Sequence, residues 1–166
     1  MKSPKGIERK LGAAMLVLLL SAGYATAQSV SGKYACSEPN SVQRCNASNT
    51  CGSATAPCTI DVKRTGDGAS TTASIPNAKS NGAICVKVGT TVIWKSTAKD
   101  IGFLIDFGPS SPFEPSGPIT GGSERSVSVV AKKPGCYKYS AGACLSGEIY
   151  GMCGTGNAEI TVSGTN

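Results

Sequence analysis

From Thr59 onward, apolar and polar residues alternate in short runs broken by Gly and Pro. The runs are Thr59–Lys63, Ile84–Val88, Thr91–Lys95, Gly102–Phe107, Glu124–Val130, Cys136–Tyr139 and Asn157–Val162. A period of two over four to seven residues marks a strand with one face buried. Gly89-Thr90 and Pro134-Gly135 supply turns between them, and Val127 and Val129 are expected to point inward. Residues 109–122, rich in Pro, Ser and Gly, read as one long loop. No segment beyond the N-terminal apolar stretch shows a 3.6-residue period. The pattern predicts an all-β fold, an antiparallel β-sandwich.

The first residues read differently. Lys2, Lys5, Arg9 and Lys10 precede an apolar stretch from Leu11 to Ala22, and Ala25-Thr26-Ala27 follows. Basic, apolar and small-residue zones in that order predict an export signal cut near Gln28. The alternative, a membrane anchor, would need roughly 20 apolar residues. No cysteine stands at the cut to carry a lipid. The expected product is exported, periplasmic or secreted, and not embedded in a membrane.

Residues 28–58 form a third zone. Val30, Tyr34 and Val42 are nearly its only large apolar residues, yet it holds Cys36, Cys45, Cys51 and Cys58. Such a stretch cannot order itself by apolar burial. Disulfides would have to do so, each worth ~2–4 kcal/mol. The expected organisation is a signal over 1–27, a Cys-rich extension over 28–58 and a β domain over 59–166.

The chain has eight cysteines and no histidine. In an oxidising compartment the even count makes all eight disulfide candidates: Cys36, Cys45, Cys51, Cys58, Cys85, Cys136, Cys144 and Cys153. Spacing does not give their pairing. Cys85 and Cys136 alternate out of phase with the apolar face of their strands, so one or both are expected to tie down the extension. Without histidine, Ser-His-Asp and Cys-His catalysis are unavailable. There is no Cys-x-x-Cys exchange motif. Asp100, Asp106 and Glu114 are the carboxylates that a hydrolytic pair would draw on, but single acids beside strands are ordinary surface groups. The chain is not expected to be an enzyme. Its formal net charge is +6, part of which leaves with the signal, and the remaining lysines are scattered. A nucleic-acid surface needs a clustered basic stripe, so no nucleic-acid partner is expected. Asn46-Ala47-Ser48 fits a glycosylation acceptor.

Three segments carry a family resemblance. Val86-Lys87-Val88-Gly89-Thr90-Thr91-Val92-Ile93-Trp94 resembles the V-x-V-G-x-x-V-x-W hairpin of the cupredoxins. Lys133-Pro134-Gly135-Cys136-Tyr137-Lys138-Tyr139 resembles their P-G-x-Y-x-Y/F approach to the penultimate strand. Gly151-Met152 with Ala158-Glu159-Ile160-Thr161-Val162 resembles their G-M…I-x-V ending. The resemblance covers residues 59–163 and implies a Greek-key β-sandwich. It also implies a blue-copper site of two histidines, a cysteine thiolate and a distant methionine. The first histidine place falls near Ile101–Phe103, and the thiolate place at Ser140 or Ala141. Glu148 or Cys144 stands at the second histidine place, and Met152 matches the methionine. One ligand of four survives, which excludes an ordinary type 1 copper centre.

The Cys144–Cys153 loop has two readings. Either a disulfide closes it, or Cys144, Met152 and Cys153 form a soft-metal site suited to Cu(I). Phe113, in a Pro-flanked loop, is either an exposed contact for a partner or a plug over one end of the fold. The expected function is a binding or structural module with no cofactor, serving a protein or small-molecule partner. The alternative is an atypical copper-binding or electron-transfer protein.

Overall fold

The computed structural model describes residues 34, 36–37, 41–75, 84–122, 124–147 and 153–164. The expected signal peptide lies outside them, as do Glu148 and Met152. Ten strands form: β1 (Cys58–Thr65), β2 (Gly68–Ala73), β3 (Ile84–Lys87), β4 (Thr91–Ser96), β5 (Ile101–Asp106), β6 (Phe113–Glu114), β7 (Ile119–Gly122), β8 (Val127–Ala131), β9 (Gly135–Leu145) and β10 (Gly154–Ser163). The one helical element among the described residues is a 3-10 turn, Ser41–Arg44. No helix among them is long and apolar enough to cross a membrane.

The strands join in one sheet of order β6-β8-β4-β1-β2-β10-β9-β5-β7, with β3 pairing β10 off that path. The sheet curls until β7 approaches β4 and β8 from across the interior. Alternation explains the enclosed side. Ile60, Val62, Val92, Trp94, Phe103, Ile105, Tyr139, Ile160 and Val162 all face inward and are buried. At the centre Trp94 meets Phe107, Phe113 and Tyr139 edge-on, with ring centroids 5.6–6.5 Å apart. Such contacts add to the burial of large rings. Tyr139 donates or accepts one hydrogen bond, at 2.6 Å to Thr71 of β2. Burial pushes its phenol up to about 12, and the Thr71 bond offsets part of that rise.

The structure corrects several expectations. Residues 109–122 are not one loop: β6 and β7 lie inside, and β6 pairs with β8 through Phe113↔Ala131. Phe113 is 2% exposed and packs on Trp94 and Phe107, so it is not an exposed contact for a partner. β2 went unread because Gly68–Ala73 contains no side chain larger than Thr or Ser. Val129 faces inward as expected, while Val127 is only half-buried and its strand begins there. The sheet is not purely antiparallel either. β1 runs parallel to β4 over five positions and β3 parallel to β10 over four.

Four disulfides join Cys36 to Cys136, Cys45 to Cys85, Cys51 to Cys58 and Cys144 to Cys153. No cysteine is free. Cys85 and Cys136 therefore both tie the extension to the sheet. The extension also bonds to β3: Cys51 N–H donates to the Cys85 carbonyl at 2.7 Å, and Cys85 N–H to that of Asn49 at 3.0 Å. This covers a strand edge that would otherwise be open to pairing with another chain. Tyr34 supplies a further anchor. Its ring lies where a side chain on Gly108 would stand, and Gly108 has a φ of 63°. Its hydroxyl donates to Asp106 Oδ2 at 2.9 Å.

Candidate functional site

The outer face of β5, β9 and β10 carries a groove and several polar side chains. Register sets which side chains share it. Asp106 pairs with Ser140 and Leu104 with Gly142 across β5–β9; Ser140 pairs with Asn157 and Lys138 with Glu159 across β9–β10. Partners in register project to the same side of a pleated sheet. Tyr139, Ala141 and Ala143 alternate to the buried side, leaving Ser140, Gly142 and Cys144 facing out.

A groove of about 310 Å³ lies on this face, lined by Leu104, Asp106, Ser140, Asn157 and the Cys144–Cys153 disulfide. Gly142 and Gly156 form part of its floor. A side chain on Gly156 would strike the Ala69 carbonyl oxygen, so that position is closed to substitution. A Cβ on Gly142 would meet only Leu104, at 3.8 Å, so Gly142 leaves real space rather than avoiding a clash.

The polar groups of the groove are held by hydrogen bonds, from beside it and within it. Asp106 Oδ1 accepts from the Gly108 N–H at 2.8 Å, and its Oδ2 from Tyr34. Ser140 Oγ donates to Asn157 Oδ1 at 3.1 Å, which keeps the Nδ2 hydrogens of Asn157 for a ligand or water. The set offers a carboxylate acceptor, an amide donor and the Thr155 hydroxyl beside apolar Leu104. It suits a small ligand with both donors and acceptors.

The copper places that the resemblance implies on β5 and β9 offer neither imidazole nor thiolate. Ile101 pairs with Leu145 at one end of β5, whereas Ser140 pairs with Asp106 at the other. Over the whole ranges, Ile101–Phe103 and Ser140–Ala141, two to five residues of strand separate the two places, about 7–16 Å. Both sulfurs of Cys144 and Cys153 are consumed in their mutual bond. The carboxylates do not pair either. Asp100 and Asp106 flank opposite ends of β5, and Glu114 meets Lys132 at 3.8 Å on the surface. Asn46 is exposed in a turn, where its Oδ1 accepts from both the backbone N–H and the hydroxyl of Ser48. Sequence reasoning missed Leu104, Asn157 and Gly142. The alternation of Ser140, Gly142 and Cys144 beyond Tyr139 was the signal that could have shown β9 continuing.

A scan against protein-family models matched none, and no curated protein matched the chain.

Proposed function

We propose that this is an exported, disulfide-stabilised binding module of cupredoxin-like Greek-key sandwich fold, without type 1 copper, whose ligand site is the groove beside Cys144–Cys153. One observation carries the reading. The bond between Cys144 and Cys153 takes both thiolates out of metal chemistry and forms a wall of a polar groove. Four disulfides suit an oxidising, extracytoplasmic compartment. The curled all-β sheet is compatible with the fold that the three sequence segments suggest. Function then resides in the site, not in the fold.

Two measurements test it. Titration of the purified, denatured protein should find no free thiol, and copper loading should leave no stoichiometric metal. Copper retained at one per chain and lost in Met152→Ala would instead establish the electron-transfer alternative. For the groove, a small-molecule fragment screen followed by NMR should shift Leu104, Asp106 and Asn157 together. Gly142→Leu, which fills the cavity, should abolish those shifts while leaving the melting temperature within a few degrees. Binding unaffected by Gly142→Leu would place the ligand elsewhere.

A further inference from the structure

A second cluster lies further along the same outer face. Cys36 and Cys136 are joined, and the carboxylate of Glu159 lies beside them; one ligand atom from each of the three falls within 4.8 Å of the others. The carboxylate is oriented on purpose-built contacts. Its Oε1 accepts from the Ser37 N–H at 2.8 Å and from the Ser37 hydroxyl at 2.7 Å. Those bonds leave Oε2 for another partner. Lys138 is the register partner of Glu159 across the β9–β10 ladder, which puts a positive charge on the same face.

We propose that Cys36, Cys136 and Glu159 form a redox-gated site for a thiophilic divalent cation of the Zn(II) or Cd(II) class, closed as a disulfide and opened by exchange with a dithiol, which passes its two protons to the cysteine sulfurs and is itself oxidised to a disulfide. The geometry needs little change. Zinc binds thiolate sulfur at about 2.3 Å and carboxylate oxygen at about 2.0–2.2 Å in a tetrahedron, which sets ligand atoms roughly 3.4–3.8 Å apart. The Cα atoms of the two cysteines are already 6.0 Å apart. Two thiolates and a carboxylate carry three negative charges, of which a divalent cation cancels two and Lys138 offsets the third. Water completes the fourth position.

Access favours this disulfide over most of the others. Cys36 and Cys136 are half-buried, whereas Cys51, Cys58 and Cys85 are fully enclosed. Thiol–disulfide exchange requires an open sulfur. Cys144–Cys153 is also half-buried, but no described carboxylate groups with it. The consequence is structural. The Cys36–Cys136 link spans 100 residues and holds the start of the extension on β9. A metal bound after reduction takes over that clasp.

The test uses the full-length purified protein and a water-soluble phosphine as reductant. Two electrons pass from phosphorus to the S–S bond. Water supplies the oxygen of the phosphine oxide and the two protons of the new thiols. After the phosphine is removed, Cd(II) displaces those protons. Binding is read by thiolate charge-transfer absorption in the ultraviolet and by metal analysis after desalting. Differential alkylation with peptide mapping identifies the opened pair. Reduced protein should take up about one cadmium per chain, and oxidised protein none. Uptake should persist in Cys144→Ser with Cys153→Ser and vanish in Cys36→Ser with Cys136→Ser. Glu159→Gln keeps an oxygen for Ser37 but removes the charge, and should weaken binding about tenfold or more. It also keeps the proposal falsifiable should the cysteine variants fail to fold. Three results would overturn the proposal: Cys36–Cys136 remaining joined under phosphine, affinity unchanged by Glu159→Gln, or uptake that follows Cys144 and Cys153. The first two leave the groove untouched, whereas the third would open the bond that forms its wall.

Discussion

Residues 41–57 and the sheet that begins at Cys58 are ordered by different physics. In the sheet, alternating apolar side chains enclose Trp94, Tyr139, Phe107 and Phe113, and burial of those rings holds the strands together. In the extension, only Cys51 of residues 42–57 is fully buried. Its one large apolar residue in that range, Val42, is 42% exposed. Cross-links to Cys58 and Cys85, two backbone bonds to Cys85 and local turns around Asn46 and Asn49 order it instead. The contrast shows that a poorly apolar segment can be fixed on a domain when covalent links restrict its unfolded ensemble. It then works as a cover for β3.

The sharpest way to separate the two modes is to remove one from each region. Trp94→Ala should have the largest effect, about 3–5 kcal/mol, because it empties the centre of the aromatic cluster. Denaturant unfolding reads this directly, and a loss under about 1 kcal/mol would mean that the rings do not form the keystone of the fold. Replacing Cys45 and Cys85 by Ser should cost less, about 2–4 kcal/mol, since it frees a loop spanning 40 residues. Its signature should be local. Limited proteolysis should cut within residues 41–57 before the sheet unfolds, and a single cooperative transition would show that the extension is held by its backbone bonds.

Alkali tests the sheet alone. Tyr139 has its phenol raised from 10.0 to about 12 by burial, so the folded state holds its proton more tightly than the unfolded chain. Its contribution is complete below pH 10 and is lost as pH rises through 12; two pH units correspond to about 3 kcal/mol. Tyr139→Phe should flatten that part of the stability curve, measured by urea midpoints from pH 9 to 12. The smallest effect should come from Val42→Ser, within about 0.5 kcal/mol, as for other exposed sites. A larger loss would mean that the extension has an apolar anchor after all.

Much of the fold was legible because it rests on a local rule. Seven runs of period two correspond to β1, β3, β4, β5, β8, β9 and β10. The strands that were missed lack that signal. β2 has only Gly, Ala, Ser and Thr, and it is strand because β1 offers six paired positions and Tyr139 a hydrogen bond. β7 has Ile119 alone, followed by Thr and two glycines. Gly121 must be glycine because the Phe103 ring and the Arg125 carbonyl fill the space of a side chain. The groove was less legible than the strands. Asp106 was noticed as an acid, but its neighbours Asn157 and Leu104 come from strands far apart in the chain.

The sequence by itself determined the even cysteine count, the want of imidazole and the β-class of the domain, because each follows from composition or from neighbours one or two residues apart. Partnership was decided only by the tertiary structure. Which of the possible cysteine pairs formed, that β1 lies parallel to β4, and that Phe113 turns inward all depend on residues brought together across long loops. Contacts of that kind are fixed by the packing of the whole, and no local pattern encodes them.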